Sequence, residues 1–172
     1  MPDPTWNILV LCTGNSARSI MAEALFNVLG DGRFRAFSAG SRPTGRVHPM
    51  AIENCHAIGY PAEHARSKSW DEFAAPGAPV MDFIITVCDN AANEVCPVWP
   101  GHPATAHWGF EDPAAVEGDE ATQRRAFGTV FAQIRRRVEL FTSLPLATLD
   151  RLAIQHEMTR IGATPVAGSI AP

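Results

Sequence analysis

Long hydrophobic runs are missing from this sequence of 172 residues. No apolar stretch reaches the roughly 18 residues that a membrane-spanning helix needs, so we expect no membrane anchor. The first residues, MPDPTW, include no basic segment, and we therefore expect no secretory signal and a cytoplasmic location. Positive charge is not in excess, because the net charge is −4, and this argues against a nucleic acid as the main partner.

Cysteine occurs only four times, at positions 12, 55, 88 and 96. Structural zinc sites usually bring their cysteines in pairs separated by about two to four residues, and no two cysteines here are that close, so we expect no metal site. In a chain without a secretory signal, cysteines are more often catalytic or redox-active than joined in structural disulfides. Cys55 lies in a predicted helix, where we expect it to be a packed residue.

Short apolar stretches alternate with amphipathic ones along the chain, and the length predicts one main domain. The alternation predicts strands at 6–11, 33–39, 80–87 and 104–108, and helices at 19–29, 49–58, 120–141 and 146–161. This order is typical of a three-layer α/β fold, in which helices cover both faces of a parallel sheet. In the long helix, the triplet Arg135, Arg136 and Arg137 is expected to lie on the solvated face.

Three residues with useful chemistry follow predicted strands, namely Cys12, Cys88 and Asp112. Right-handed crossovers place the loops that follow parallel strands at one edge of the sheet. Ligands of open α/β sheets bind at that edge, outside the carboxyl ends of the strands. We therefore expect these three side chains to lie close together in space although they are far apart in sequence.

The segment CTGNSARS, from Cys12 to Ser19, joins the first predicted strand to the first predicted helix. Its backbone amides and the helix N-terminus suit a tetrahedral oxyanion, and Arg18 can hold two of the oxygens at once. The same field is expected to lower the pKa of Cys12 and make it a nucleophile, with Ser19 donating a hydrogen bond to the sulfur. The alternative is a buried cysteine before an ordinary helix. The predicted oxyanion-binding residues are Thr13, Gly14, Asn15, Ser16, Ala17 and Arg18.

The dipeptide Asp112-Pro113 follows the fourth predicted strand. A carboxylic acid held over the anion loop can protonate a leaving oxygen, and Pro113 would stiffen the segment that carries it. Asp-Pro alone is a common turn, but beside the Cys12 loop we interpret Asp112 as a general acid.

These motifs resemble the low-molecular-weight protein tyrosine phosphatases, and more closely the arsenate reductases built on the same fold. The resemblance spans residues 6–143 and includes Ser38-Ala39-Gly40 and the segment HWGFEDPA from His107 to Ala114. It implies a four-stranded parallel sheet flanked by helices, with the anion site in the first loop. Residues 1–143 would form this domain, and residues 144–172 would add a C-terminal helix and a flexible tail.

Three features favour a reductase over a phosphatase. Ala17 stands where the phosphatases usually have a second cysteine, Ala114 and Ala115 stand where they usually have aromatic residues, and Cys88 and Cys96 supply two further thiols. The resemblance thus implies reduction of arsenate to arsenite, with Cys12, Cys88 and Cys96 as an intramolecular thiol–disulfide relay. The alternatives are a low-molecular-weight tyrosine phosphatase and a non-catalytic oxyanion-binding or redox-sensing module, against which the combination of Cys12, Arg18 and Asp112 argues.

The relay places a requirement on the chain between its last two cysteines. A disulfide needs Cα atoms about 4.4–6.8 Å apart, whereas a continuous helix from 88 to 96 would separate them by about 12 Å. We therefore expect the segment 89–95 to bend or unwind.

The resemblance also implies the partners of the protein. Arsenate would be the substrate, phosphate and sulfate would compete with it, and thioredoxin, or glutaredoxin with glutathione, would be the external thiol reductant. We expect a monomer without a tightly bound cofactor. Some relatives bind potassium near the anion loop, and Asn15, Glu23 and Ser38 occupy matching positions here.

Overall fold

The computed structural model describes residues 4–88, 99–166 and 168. The strands are β1 (Trp6–Leu11), β2 (Phe34–Ala39), β3 (Phe83–Thr86) and β4 (Ala104–His107). The helices are α1 (Arg18–Leu29), α2 (Pro49–Ala57), α3 (Asp71–Ala74), α4 (Glu120–Thr142) and α5 (Arg151–Ala163). None of the helices in this part of the chain is long and apolar enough to cross a membrane.

The four strands form one parallel sheet in the order β2-β1-β3-β4. Strand β1 lies in the interior of the sheet, between β2 and β3, and β4 lies at an edge. The prediction of a four-stranded parallel sheet flanked by helices is confirmed. Because all strands run the same way, the loops after β1, β3 and β4 meet at the carboxyl edge.

The core lies on both faces of the sheet, and β1 contributes to each. Its residues alternate, so that Ile8 and Val10 pack into the large cluster with α1 and α4, while Leu9 and Leu11 pack on the other face with Phe73 of α3. All four of these β1 side chains are almost fully buried. A strand buried on both faces explains why residues 8–11 are a continuous apolar run. Cys55 is also fully buried, as expected.

Some element boundaries differ from the sequence prediction. Strand β3 begins at Phe83 rather than at residue 80. The carboxylate of Asp82 accepts a hydrogen bond from the backbone amide of Asn7, and Val80 is exposed. The last helix begins at Arg151 rather than 146, because the carboxylate of Asp150 accepts a hydrogen bond from the amide of Ala153 and caps the helix there.

The expectation that the whole arginine triplet of α4 is solvated is wrong for Arg137. Arg135 and Arg136 are exposed, but Arg137 is 6% exposed and its guanidinium donates to three backbone carbonyl oxygens. Burial lowers the pKa of Arg137 from its ordinary value. Within a run of three arginines, Arg137 is therefore a buried structural residue, while its two neighbours are exposed.

Candidate active site

The anion loop, residues 12–18, runs from the end of β1 into the first turn of α1. It turns at Asn15, which has a φ of 46°, a left-handed conformation that Asn tolerates better than most residues. The Asn15 amide group donates to the hydroxyl oxygens of Ser19 at 2.8 Å and Ser38 at 3.0 Å, and its carbonyl oxygen accepts from the Lys68 amide at 2.9 Å. Asn15 thus fixes the shape of the loop from inside the protein.

The segment 41–48 wraps around the outside of the anion loop. The amides of Arg42, Thr44 and His48 donate to the carbonyl oxygens of Thr13, Gly14 and Ser16 at 2.8–3.1 Å. Carbonyl oxygens that are engaged in this way leave the amides of the loop to meet an anion. A side chain at position 40 would collide with the loop, since a Cβ there would lie 2.4 Å from the Thr13 oxygen. The glycine at position 40 therefore permits this close approach.

Cys12 and Cys88 meet at the start of this loop, as their positions after β1 and β3 predict. Both thiols are buried and neither is in a disulfide. The Cys88 thiol lies close enough to Cys12 to be the largest influence on the pKa of Cys12. The amide of Thr13 also donates to the Cys88 sulfur at 3.3 Å. Two buried thiols thus lie close together at the start of the predicted anion loop.

The expected lowering of the Cys12 pKa is wrong for this arrangement. The hydrogen bond with Cys88 raises the pKa of Cys12 most, and burial raises it further, while Arg18 and the amide of Gly14 act in the opposite direction. A cysteine alone in a positive field would have a lowered pKa. The structure adds a second thiol and removes water, and both favour the protonated form.

Replacing Cys88 with alanine is therefore expected to lower the pKa of Cys12, because it removes the largest cause that raises it. The rate at which iodoacetamide alkylates Cys12 is measured against pH by peptide mass spectrometry. This rate should begin to rise at a lower pH in the variant than in the wild type. Cys55→Ala serves as the control, since Cys55 is buried in α2. An alkylation profile of Cys12 that is the same in Cys88→Ala and wild type would contradict this account.

Arg18 begins α1 and reaches across to the loop that follows β4. One of its guanidinium nitrogens donates to the carbonyl oxygen of Phe110 at 2.8 Å, and another lies 3.7 Å from a carboxylate oxygen of Asp112. The other carboxylate oxygen of Asp112 accepts from the amide of Ala114 at 3.0 Å and caps the short 3₁₀ helix Pro113–Ala115. The structure thus brings Arg18 and Asp112 together beside the anion loop.

Ser19 and Cys96 complete the predicted site residues. Ser19 is fully buried, and its hydroxyl oxygen accepts the hydrogen bond from Asn15. Its predicted bond to the Cys12 sulfur stays a prediction. Cys96 and the segment 89–95, which is predicted to bend, lie outside the described residues.

A buried ion pair lies behind the loop, at the position considered for potassium. Lys68, which is the chain's only lysine, places its ammonium 3.7 Å from a Glu23 carboxylate oxygen and donates to the carbonyl oxygen of Arg66 at 2.7 Å. Glu23 also accepts from the hydroxyls of Ser38 at 2.9 Å and Tyr60 at 2.6 Å. Burial raises the pKa of Glu23 and lowers that of Lys68, and each partner opposes the shift of the other.

These residues do not fit a potassium ion. Asn15, Glu23 and Ser38 do lie together, but the ammonium of Lys68 already supplies the positive charge that a cation would bring to Glu23. In the part of the chain that the structure describes, no group of three or more His, Cys, Asp and Glu side chains is arranged to hold a metal ion.

We expect replacement of Lys68 by methionine to lower the free energy of unfolding by about 3 kcal/mol, because it leaves the buried Glu23 without its charged partner. Urea unfolding measures this change, and Glu23→Gln with Lys68→Met in one chain should recover part of it. The wild-type melting temperature should be the same in potassium chloride and in choline chloride at equal ionic strength. A rise in that temperature specific to potassium would contradict the assignment of Lys68 as the resident cation.

Comparisons with known proteins agree with this geometry. Residues 7–153 match the model of the low molecular weight phosphotyrosine protein phosphatase family. An arsenate reductase of Halalkalibacterium halodurans is 37% identical over 135 residues, which are 78% of this chain and 93% of that protein. The crystal structure of an arsenate reductase from Archaeoglobus fulgidus superposes with a TM-score of 0.60 at 32% identity, covering 80% of this chain and 99% of that one.

A second similar structure is that of a thioredoxin-dependent arsenate reductase of Corynebacterium glutamicum. It has a TM-score of 0.58 and 25% identity, and the match covers 86% of this chain and 66% of that one. The similarity to these proteins extends over most of the chain, and the family match at residues 7–153 includes the positions of Cys12 and Cys88. This chain belongs to the low molecular weight phosphotyrosine protein phosphatase family, among the arsenate reductases of that family.

Proposed function

We propose that this protein reduces arsenate to arsenite, with Cys12 as the nucleophile and Cys88 as the thiol that takes over its oxidation. The observation that carries the proposal is the close approach of the two buried thiols at the start of the anion loop. A phosphatase needs only the first of them. The arsenate reductases among the relatives support the same substrate for this chain.

In the first step, arsenate binds to the loop amides of residues 13–17 and to Arg18. The thiol proton of Cys12 passes to an oxygen of the bound anion, which offsets the raised pKa of this thiol. The Cys12 sulfur then bonds to arsenic while one arsenic–oxygen bond breaks. The leaving hydroxide takes a proton from the carboxyl group of Asp112 and departs as water.

In the second step, the sulfur of Cys88 attacks the sulfur of Cys12. The sulfur–arsenic bond breaks and its electron pair stays on arsenic, which is thereby reduced from arsenic(V) to arsenic(III). The proton of Cys88 leaves with the arsenite, and a Cys12–Cys88 disulfide remains. The amide of Thr13, 3.3 Å from the Cys88 sulfur, stabilises negative charge on the attacking atom.

In the third step, Cys96 attacks the Cys88 sulfur, Cys12 leaves as the reduced thiol, and the proton of Cys96 passes to it. An external dithiol then reduces the Cys88–Cys96 disulfide by exchange. We propose thioredoxin as this reductant, because the similar protein of Corynebacterium glutamicum is thioredoxin-dependent. Glutaredoxin with glutathione is the second choice.

The test is a coupled assay that contains arsenate, thioredoxin, thioredoxin reductase and NADPH. We expect arsenate-dependent loss of NADPH with the wild type and none with Cys12→Ser, and phosphate should inhibit competitively. A parallel assay with glutaredoxin, glutathione and glutathione reductase compares the two reductants. Hydrolysis of an aryl phosphate without any arsenate reduction in either assay would overturn the proposal in favour of a phosphatase.

A further inference from the structure

The C-terminal helix α5 packs against the part of the sheet that carries Asp112. Most of this helix, residues 154–163, lies beyond the match to the family, which ends at residue 153. Ile154, Met158 and Ile161 are buried in the main core, and the helix contacts β4 and α4. This addition is therefore an ordered part of the fold and not only a connection to a tail.

Three contacts join α5 to β4 and to Trp108, the residue that follows the strand. The indole nitrogen of Trp108 donates to the Met158 carbonyl oxygen at 2.9 Å, in a buried position. Gly162 approaches the chain so closely that a Cβ there would lie 2.5 Å from the His107 oxygen. Near the start of β4, the side-chain amide of Gln155 donates a hydrogen bond to the carbonyl oxygen of Thr105 and accepts one from its backbone amide. The helix thus closes the open edge of the sheet directly before the acid loop, which we define as residues 108–112.

Arg137 connects this helix to the acid loop. Its guanidinium donates to the Gly109 carbonyl oxygen at 3.0 Å and to the carbonyl oxygens of Gly162 and Thr164 at 3.1 and 2.9 Å. It also lies 4.7 Å from the centre of the Phe110 ring, within the range of a cation–π contact. One buried cation therefore holds α4, the end of α5 and the acid loop in a fixed relation.

The acid loop also contacts the candidate active site through Phe110. The backbone carbonyl of Phe110 accepts from Arg18 at 2.8 Å, and Arg18 lies 3.7 Å from Asp112. A shift of the Gly109–Phe110 backbone would therefore move both the anion-binding arginine and the carboxylate that faces it.

We propose that α5, acting through Arg137, positions the acid loop for catalysis, so that Arg137 is a positioning residue for Arg18 and Asp112. This inference rests on the proposed roles of Arg18 and Asp112 in arsenate reduction. Misplacement of reacting groups by even about 1 Å can reduce a rate roughly a hundredfold. Arg137→Met is thus expected to lower kcat/KM for arsenate roughly ten- to a hundredfold at temperatures where the variant is folded.

The test separates positioning from simple stabilisation. Gln155→Ala is the matched control on the same helix, since it loses contacts to Thr105 and none to the acid loop; it should lower the melting temperature and leave kcat/KM unchanged. Arg137→Met and Asp112→Asn are also combined in one chain. The fold-loss of kcat/KM in this double variant should be much smaller than the product of the fold-losses in the two single variants, because both substitutions act on one loop. Arg137→Lys keeps the charge and should fall between wild type and methionine, so it provides a folded variant if Arg137→Met does not fold.

Hydrogen exchange gives a readout that does not depend on activity. The amides of residues 108–112 should exchange faster in Arg137→Met and in Arg137→Lys than in Gln155→Ala. Unchanged kcat/KM in the folded arginine variants, or fully multiplicative effects with Asp112→Asn, would overturn the inference. If the wild type does not reduce arsenate, the proposed function fails, and unchanged exchange of residues 108–112 would then separately overturn the role of Arg137.

Discussion

Replacing Cys88 with alanine is expected to reduce multiple-turnover arsenate reduction to the background rate. The first bond, between the Cys12 sulfur and arsenic, can still form, because Cys12, Arg18 and the loop amides are unchanged. Among the described residues, Cys88 is the thiol that lies beside Cys12, so its removal leaves the oxidation of Cys12 without the proposed acceptor. The thioredoxin-coupled assay measures the loss.

Two further measurements make this prediction specific. Binding of phosphate to Cys88→Ala, measured by calorimetry, should remain within a few-fold of the wild type, because the oxyanion contacts remain. Cys55→Ala, which removes a buried thiol in α2, should retain turnover. Sustained arsenate reduction by Cys88→Ala would mean that another thiol completes the reaction and that the Cys12–Cys88 contact is not part of it.

Replacing Arg18 with lysine is expected to lower kcat/KM for arsenate by about 10²–10³. The arginine uses its planar group to bond the Phe110 carbonyl oxygen and to face Asp112 while it begins α1 beside the anion loop. A lysine keeps the charge but cannot hold two anion oxygens and the Phe110 carbonyl with one ammonium group. Steady-state kinetics measure the change, and the affinity for phosphate should fall as well.

Arg35→Lys is the matched control for this variant, since Arg35 is exposed on β2. It should leave both kcat/KM and phosphate affinity unchanged. A similar kcat/KM for Arg18→Lys and Arg35→Lys would show that only the charge at position 18 matters, which is contrary to the forked geometry described above.

The strands and the anion loop are predictable from sequence because their signals are local. The run from Ile8 to Leu11 is apolar since β1 is buried on both faces, and the loop that follows has the spacing of an oxyanion site. The approach of Cys12 and Cys88, and that of Asp112 to Arg18 of the anion loop, follow from a general rule about the carboxyl edge of parallel sheets. These predictions needed no knowledge of side-chain packing.

The tasks of Lys68 and Arg137 depend on contacts between distant segments, so the sequence alone does not reveal them. Lys68 pairs with Glu23 across 45 positions and Arg137 bonds Gly109 across 28. A weak signal existed for the first, because a single lysine among 14 basic residues is unusual. The raised pKa of Cys12 was missed for the same reason, since its main cause is a thiol 76 positions away.

The central claim is that the sulfurs of Cys12 and Cys88 join when arsenate is reduced. It is tested most directly in the Cys96→Ser variant, in which the relay should stop at its first disulfide. The reduced variant is mixed with one equivalent of arsenate, its free thiols are blocked, and its peptides are analysed by mass spectrometry together with the arsenite formed. The account predicts one Cys12–Cys88 disulfide and one arsenite per protein molecule; arsenite formed while Cys12 and Cys88 both remain free thiols would contradict it.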